Sequence, residues 1–82
     1  MTMSSKTLLR LQDIWAQALG LDAVDPDSDF FELGGDSVTV TIMTLQIEEA
    51  FDVVLDPALV FEFPVLREYA EQVEALRVQQ AA

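Results

Sequence analysis

The amino-acid sequence predicts an all-α fold: a four-helix bundle of three longer helices and one short helix, with a long loop between helices 1 and 2. Three observations support this prediction. Three segments of the 82-residue chain repeat apolar residues at the helical period. The stretch between the first two of them has no period, and the chain contains no internal repeat and no plausible sheet. The length allows one domain, whose core we expect over residues 5–78.

The first helix is predicted from Ser5 to about Leu19. Its apolar residues fall on one stripe when successive residues are placed 100° apart. They are Leu8, Leu11, Ile14, Trp15, Ala18 and Leu19. Ser4 or Ser5 can cap the start of this helix, and Gly20 is well placed to stop it.

A long loop is predicted from Leu21 to Asp36. It carries six carboxylates and no basic residue. Loops of this length inside a small domain are usually functional or mobile. Because Phe30, Phe31 and Leu33 are apolar, we expect the loop to be pinned to the core.

The second helix, from Ser37 to about Phe51, has apolar residues on two sides. One stripe consists of Val38, Ile42 and Leu45, and the larger one consists of Val40, Met43, Ile47, Ala50 and Phe51. Such a helix either lies in the centre of a bundle or displays one face to a partner. We expect the larger stripe to face the core, which leaves the smaller stripe as a partner-docking surface.

The rest of the chain predicts a short helix and a final long one. Asp56-Pro57 is typical of an N-cap followed by proline at the first helical position, and it opens a helix through Phe61. Pro64 ends that helix and can begin the last one. The inward stripe of the last helix consists of Leu66, Tyr69, Ala70, Val73 and Leu76. We expect the helix to fray over residues 79–82.

Composition favours a binding or carrier role over catalysis. The chain contains no cysteine and no histidine, so disulfides and thiolate metal sites are impossible and the usual general base is missing. A net charge of −11 repels nucleic-acid phosphates and anionic lipid, and it favours basic partner surfaces. The apolar fraction of 51% is too high for a disordered acidic tail.

The N-terminal residues 1–5 are polar and precede no long apolar run. We therefore expect no signal peptide, no transmembrane span and no lipid anchor, and we expect a cytoplasmic monomer. Met1 and the lack of long linkers indicate a freestanding protein, although an excised domain with an added start codon would have the same features.

The most informative stretch runs from Asp29 to Val38 and reads DFFELGGDSV. Gly34 and Gly35 allow a tight turn and free approach to the residues that follow. Asp36 and Ser37 both initiate helices well, which places the serine hydroxyl at the start of the second helix. A phosphodiester there would lie near the positive end of the helix dipole, although the acidic loop opposes an anion.

The chain resembles the phosphopantetheine-dependent carrier proteins, most closely the peptidyl carrier (thiolation) domains of nonribosomal peptide synthetases. The DFFELGGDS stretch at a helix start is similar to the attachment site of that family. Ile14-Trp15 followed by Leu19-Gly20 is similar to the family's first helix, and VFEFP over residues 60–64 resembles its LFEHPT-like segment. The resemblance extends from about residue 8 to residue 76 in the family's order and spacing.

The resemblance implies that a phosphopantetheinyl transferase moves 4'-phosphopantetheine from coenzyme A onto Ser37. Gly34, Gly35 and Asp36 then shape the site, and the terminal thiol holds an aminoacyl, peptidyl or other acyl group as a thioester. The implied partners are an adenylation or other loading enzyme and condensation, ketosynthase, tailoring or thioesterase enzymes. The protein itself would catalyse nothing, and its pathway would make nonribosomal peptides or peptide–polyketide hybrids, antibiotics among them.

Two alternatives stay open. Fatty-acid acyl carriers typically place acidic residues just after the modified serine, whereas this chain has Thr39 and Ile42 there, with acids only at Glu48 and Glu49. This difference favours a peptidyl carrier, but the end of the helix is also similar to acyl carriers of polyketide or fatty-acid type. The other alternative is an unmodified acidic helical protein-interaction module, in which Ser37 is an ordinary N-cap.

Two further motif likenesses are rejected. A Gly-x-Ser-x-Gly hydrolase would need glycine at Thr39 and a histidine to activate Ser37, and neither is present. The stretch over residues 25–29 imitates the first half of an EF-hand loop. Its sixth position is Phe30 instead of glycine, and its twelfth is Asp36 instead of glutamate. We therefore expect a solvated acidic loop and no metal site.

Overall fold

The computed structural model describes residues 5–81. Within them lie four helices, α1 (Ser5–Leu19), α2 (Ser37–Phe51), α3 (Leu59–Glu62) and α4 (Leu66–Gln80). The described chain forms no strand, and its β-type pairing is limited to an isolated bridge between Asp29 and Val65. The predicted four-helix fold with one short helix and a long loop between helices 1 and 2 is confirmed.

The core lies between α1, α2 and α4 and includes the loop before α2. Its largest buried side chains are Trp15, Tyr69, Phe30, Leu11, Met43 and Ile47. The Trp15 ring packs edge-on against Phe30 with centroids 5.0 Å apart, and it packs against Tyr69 at 5.4 Å. Each such aromatic pair contributes about 0.5–1.5 kcal/mol beyond the burial of its area. Because the three rings come from α1, the loop and α4, they join the loop to the bundle.

The first helix ends as predicted at Gly20. This residue has a φ of 71°, the left-handed conformation that glycine adopts without a steric penalty. The Leu21 N–H donates to the Ala16 carbonyl at 2.8 Å, the six-residue bond of a Schellman motif. The caps predicted for the start of α1, Ser4 or the Ser5 side chain, lie outside the part of the chain that the structure describes.

The acidic loop is held against the start of α4 by backbone hydrogen bonds. The Phe30 N–H donates to the Pro64 carbonyl at 2.8 Å, and the Leu66 N–H donates to the Ser28 carbonyl at 3.0 Å. The Arg67 N–H reaches the Pro26 carbonyl at 2.8 Å. Since the N-cap of α4, Val65, offers no side-chain cap, loop carbonyls satisfy N–H groups that a helix start leaves free. The expected pinning of the loop is confirmed.

The predicted start of the short helix is wrong by two residues. Asp56 was expected to be its N-cap and Pro57 its first residue, but α3 begins at Leu59 with Ala58 as N-cap. The Asp56 carboxylate accepts the Ala58 N–H at 2.9 Å, an acceptor and donor only two residues apart. Such an Asx-type bond closes a turn before the helix instead of capping the helix itself.

The predicted bounds of the last helix also need correction. Pro64 does not begin α4, because its carbonyl accepts the Phe30 N–H and the helix starts at Leu66. The helix also continues through Gln80 instead of fraying from residue 79. The Gln80 side-chain oxygen accepts the Val54 N–H at 2.7 Å, and the Gln80 side-chain N–H donates to the Val54 carbonyl at 2.9 Å. These two hydrogen bonds tie the last turn of α4 to the segment before α3. Ala82 lies outside the described residues.

Across residues 5–81, the structure contains no helix with the length and apolar character that spanning a membrane requires.

Candidate functional site

The site is built on a compact turn that leads from Asp29 into α2. The Asp29 carboxylate accepts the Phe31 N–H at 2.8 Å and the Glu32 N–H at 3.2 Å. Two further bonds within the turn join the Gly34 N–H to the Phe31 carbonyl at 3.1 Å and the Gly35 N–H to the Phe30 carbonyl at 3.0 Å. These hydrogen bonds hold the turn as far as Gly35, the residue before Asp36.

The two glycines are needed for different reasons. Gly34 has a φ of 99°, which strains any residue with a Cβ, but a Cβ there would meet open space. Gly35 is restricted by its neighbour instead. A Cβ at Gly35 would overlap the Phe30 ring and lie 2.7 Å from the Phe30 carbonyl oxygen. The pair therefore lets the backbone lie directly on the buried Phe30, which fixes where α2 begins.

The start of α2 is capped by Asp36, not by Ser37. Asp36 has extended backbone angles, and its carboxylate accepts the Thr39 N–H at 2.9 Å. The Asp36 N–H donates in return to Thr39 Oγ1 at 2.8 Å, which completes a capping box. Sequence reasoning considered both Asp36 and Ser37 as helix initiators and missed Thr39. The available signal was a side chain with a hydroxyl three residues after Asp36.

The capping box also sets the charge of the Asp36 carboxyl. Its pKa lies below the ordinary value because the ionised form accepts hydrogen bonds, first from the Thr39 N–H and then from the Thr39 hydroxyl. A carboxylate therefore stands directly beside Ser37 at neutral pH. One of its two oxygens, Oδ1, accepts from both the Thr39 N–H and the Thr39 hydroxyl.

Ser37 is the first residue of α2 and is exposed to solvent. The N–H groups of a first helical turn have no carbonyl partner within the helix and carry partial positive charge. A phosphodiester on the Ser37 hydroxyl therefore fits the site, because it would meet these groups. Its arm would extend into solvent, because Ser37 is exposed.

The two sides of α2 differ in burial as expected. The inner face, defined by Val40, Met43 and Ile47, is 3%, 0% and 0% exposed. The outer face, defined by Val38, Ile42 and Leu45, is 64%, 43% and 56% exposed. The two residues that complete the larger predicted stripe, Ala50 and Phe51, are partly buried against the core. An apolar surface thus runs down α2 from the residue after Ser37.

Two features beside the site were not predicted. Phe31 stacks on Phe61 of α3 with ring centroids 5.1 Å apart and planes 22° apart, and Phe61 remains 59% exposed. In addition, Arg67 Nε lies 3.0 Å from Asp27 Oδ1, so α4 supplies a cation to a loop that has none of its own. Both contacts join segments distant in sequence. Among the described residues, no group of three or more acidic side chains is arranged to hold a metal ion.

Comparison with known proteins identifies the family. The sequence model described as "Phosphopantetheine attachment site" matches residues 9–73. A phosphinothricin tripeptide synthetase of Streptomyces viridochromogenes is 47% identical over 60 residues, which are 73% of this chain and 5% of that protein. The chain spans 5% or less of the length of the first curated relatives that it matches.

Solved structures agree with the sequence match. A type-II acyl-carrier-protein from Streptomyces verticillus, involved in bleomycin biosynthesis, superposes with a TM-score of 0.82 and 31% identity. That alignment covers 85% of this chain and 84% of the other. A non-ribosomal PCP domain superposes with a TM-score of 0.75 and 33% identity, covering 85% of this chain and 90% of the other. The chain therefore belongs to the phosphopantetheine attachment site family, as a carrier domain of the peptidyl carrier type.

Proposed function

We propose that Ser37 is the attachment residue and that this domain carries aminoacyl, peptidyl or acyl intermediates in nonribosomal peptide or hybrid polyketide biosynthesis. The observation that carries the proposal is the exposed Ser37 hydroxyl at the start of α2, directly after the turn that Gly34 and Gly35 shape. When bound, 4'-phosphopantetheine supplies a thiol that holds the cargo as a thioester.

In the attachment step, the Ser37 hydroxyl oxygen bonds to the phosphorus that bears pantetheine in coenzyme A. The diphosphate bond breaks, adenosine 3',5'-bisphosphate leaves, and the serine proton passes to a base of the transferase. The chain has no histidine, and the lowered pKa of the Asp36 carboxyl beside the serine makes it a weak base, so the partner enzyme supplies that base. The backbone N–H groups at the start of α2 favour the phosphodiester that results.

Carriers of this family are generally not catalysts, and we propose that this chain catalyses no step itself. Its partners would be a phosphopantetheinyl transferase, an adenylation or other loading enzyme, and condensation, ketosynthase, tailoring or thioesterase enzymes. The transferase requires coenzyme A, which supports a cytoplasmic location. Residues 5–78 would act as one monomeric carrier domain.

The outer face of α2 is the proposed docking surface for these partners. Val38, Ile42 and Leu45 each leave about half or more of the side chain in solvent, and a continuous exposed apolar surface is typical of a binding site. The surface begins one residue after Ser37, so an enzyme seated on it would lie close to the arm. Near the serine no acidic side chain of α2 interrupts it, since Glu48 and Glu49 lie in the last turns.

The attachment proposal is tested by intact-protein mass spectrometry after incubation with coenzyme A and a promiscuous phosphopantetheinyl transferase. We expect a gain equal to one phosphopantetheine in the natural sequence and no gain in Ser37→Ala. An unchanged mass in the natural sequence would favour the unmodified interaction module. A gain that persists in Ser37→Ala would place the attachment at another residue.

A second candidate is an acyl carrier of polyketide or fatty-acid type, supported by 36% identity over 72 residues to a phenolphthiocerol/phthiocerol polyketide synthase subunit of Mycobacterium tuberculosis. The two candidates differ in which enzymes load the arm. A panel of adenylation domains and acyltransferases, offered to the modified protein, separates them. Aminoacyl thioesters alone support the peptidyl carrier, and malonyl or fatty acyl thioesters alone support the acyl carrier.

A further inference from the structure

The capping box at the start of α2 ties together the residues on either side of Ser37. Thr39 Oγ1 accepts the Asp36 N–H at 2.8 Å, and its own hydrogen can reach the Asp36 carbonyl at 3.0 Å or Oδ1 at 3.1 Å. The Thr39 N–H donates to Asp36 Oδ1 at 2.9 Å. Four contacts between two residues thus enclose the segment that contains Ser37.

On either side of this segment the supporting hydrogen bonds come from the backbone. Gly34 and Gly35 carry no side chains, and Ser37 and Val38 are exposed. Before Asp36 the backbone is fixed by Phe30, which accepts the Gly35 N–H at 3.0 Å. After Asp36 the helix has not yet closed its first bond, which the Val40 N–H makes to the Asp36 carbonyl at 2.9 Å. Within this gap the Asp36–Thr39 pair provides the side-chain contacts that close the cap.

From this geometry, and resting on the proposed attachment at Ser37, we propose that Thr39 is a positioning residue for loading. It acts through Asp36 and does not touch the incoming group, because its hydroxyl is engaged with Asp36. Thr39 keeps the first turn of α2 closed, so Ser37 is presented in one arrangement. It also keeps the Asp36 carboxylate turned towards the helix end, away from the hydroxyl that must react and from the anionic coenzyme A.

Thr41 provides a matched control on the same helix. Its hydroxyl donates to the Ser37 carbonyl at 3.0 Å, but that carbonyl already belongs to the helical hydrogen-bond ladder and the contact closes no cap. Thr41 is also exposed. Thr39→Val and Thr41→Val therefore each remove one threonine hydroxyl from α2. Only Thr39→Val opens the capping box.

The experiment measures KM and kcat of the carrier in transferase-catalysed loading for the natural sequence, Thr39→Val, Thr39→Ser and Thr41→Val. We expect Thr39→Val to raise KM about fivefold with kcat unchanged, because binding selects the fraction of molecules whose first turn is closed. Thr39→Ser should restore KM, since serine retains the hydroxyl. Thr41→Val should match the natural sequence.

Amide hydrogen exchange supplies a readout that is independent of loading. A closed fraction of about one fifth leaves the amide of residue 39 open most of the time, so in Thr39→Val it should exchange at close to its unprotected rate, while core amides such as Met43 keep their protection. An unchanged KM in Thr39→Val, an equal rise in Thr41→Val, or no rescue by Thr39→Ser would overturn the positioning role. Loading that persists in Ser37→Ala would instead overturn the proposed attachment residue, so the two failures are distinguishable.

Discussion

The inner and outer faces of α2 carry similar aliphatic side chains, but only one face is covered. Ile47 on the inner face is completely buried, whereas Ile42 on the outer face is 43% exposed. The hydrophobic effect alone would bury both faces. Among residues 5–81 no segment covers the outer face, so its exposed residues contribute little to folding. The inner face therefore maintains the fold, and the outer face is free for the partner docking proposed above.

The largest expected effect comes from placing a charge on each face in turn. Ile47→Asp would bury an unpaired carboxylate at a cost of roughly 5 kcal/mol, comparable with the whole stability of a domain this small. Thermal melting should show that this variant is largely unfolded. Ile42→Asp should melt close to the natural sequence and yet lower kcat/KM for loading or condensation about tenfold.

Two outcomes would break the comparison between the faces. If Ile42→Asp unfolds the protein and Ile47→Asp does not, the faces are assigned in reverse. If Ile42→Asp melts normally and is loaded and condensed at the natural rate, the outer face is not a docking surface for the enzymes tested.

The next largest effect compares the stability of variants at the two glycines before Ser37. Gly35 lies against the buried Phe30, whereas Gly34 faces open space. Gly35→Ala would force a methyl group into the Phe30 ring and carbonyl and should cost about 2 kcal/mol. Gly34→Ala meets open space and should cost only about 1 kcal/mol, the strain of its positive φ. Urea denaturation of both variants tests the order. A larger loss in Gly34→Ala would show that Phe30 yields easily.

A smaller effect on stability distinguishes Asp36, which caps α2, from Ser37, the proposed attachment residue. Ser37→Ala should change stability by less than about 0.5 kcal/mol, because Ser37 is exposed and the cap belongs to Asp36. Asp36→Ala should lower the melting temperature by a few degrees through loss of the capping box. A melting temperature that falls more in Ser37→Ala than in Asp36→Ala would contradict this division.

The smallest expected effect is the pH dependence that Asp36 contributes. Its pKa is lowered in the folded state, so its contribution to stability is complete above the ordinary carboxyl pKa of 3.8. The contribution is lost as the pH falls from there through the lower folded-state pKa. Melting temperatures of the natural sequence and Asp36→Asn should therefore converge below pH 4 and differ by a constant amount above pH 5. A difference that is independent of pH would show that the charge of Asp36 does not matter.

Local patterns predicted most of the secondary structure because their causes are local. The apolar period of α1 and its stop at Gly20 were both predicted, and α2 begins and ends at the expected residues. The errors arose where two local preferences compete. Asp56 was predicted to cap α3, but it closes a turn before that helix. At the start of α2, both Asp36 and Ser37 were suitable as N-cap, and the hydrogen bond to Thr39 shows that Asp36 takes this position.

The sequence by itself determined the family, the attachment motif, the four helices and the acidic charge, since these depend on residue types and short spacings. Only the tertiary structure decided how distant segments complete one another. Gln80 secures Val54 from 26 residues away, Arg67 reaches Asp27 across 40 residues, and loop carbonyls cap α4. A periodic pattern shows that a face is apolar, but which neighbour covers that face depends on how the helices pack. The exposure of Ile42 beside the burial of Ile47 is therefore a property of the assembled bundle.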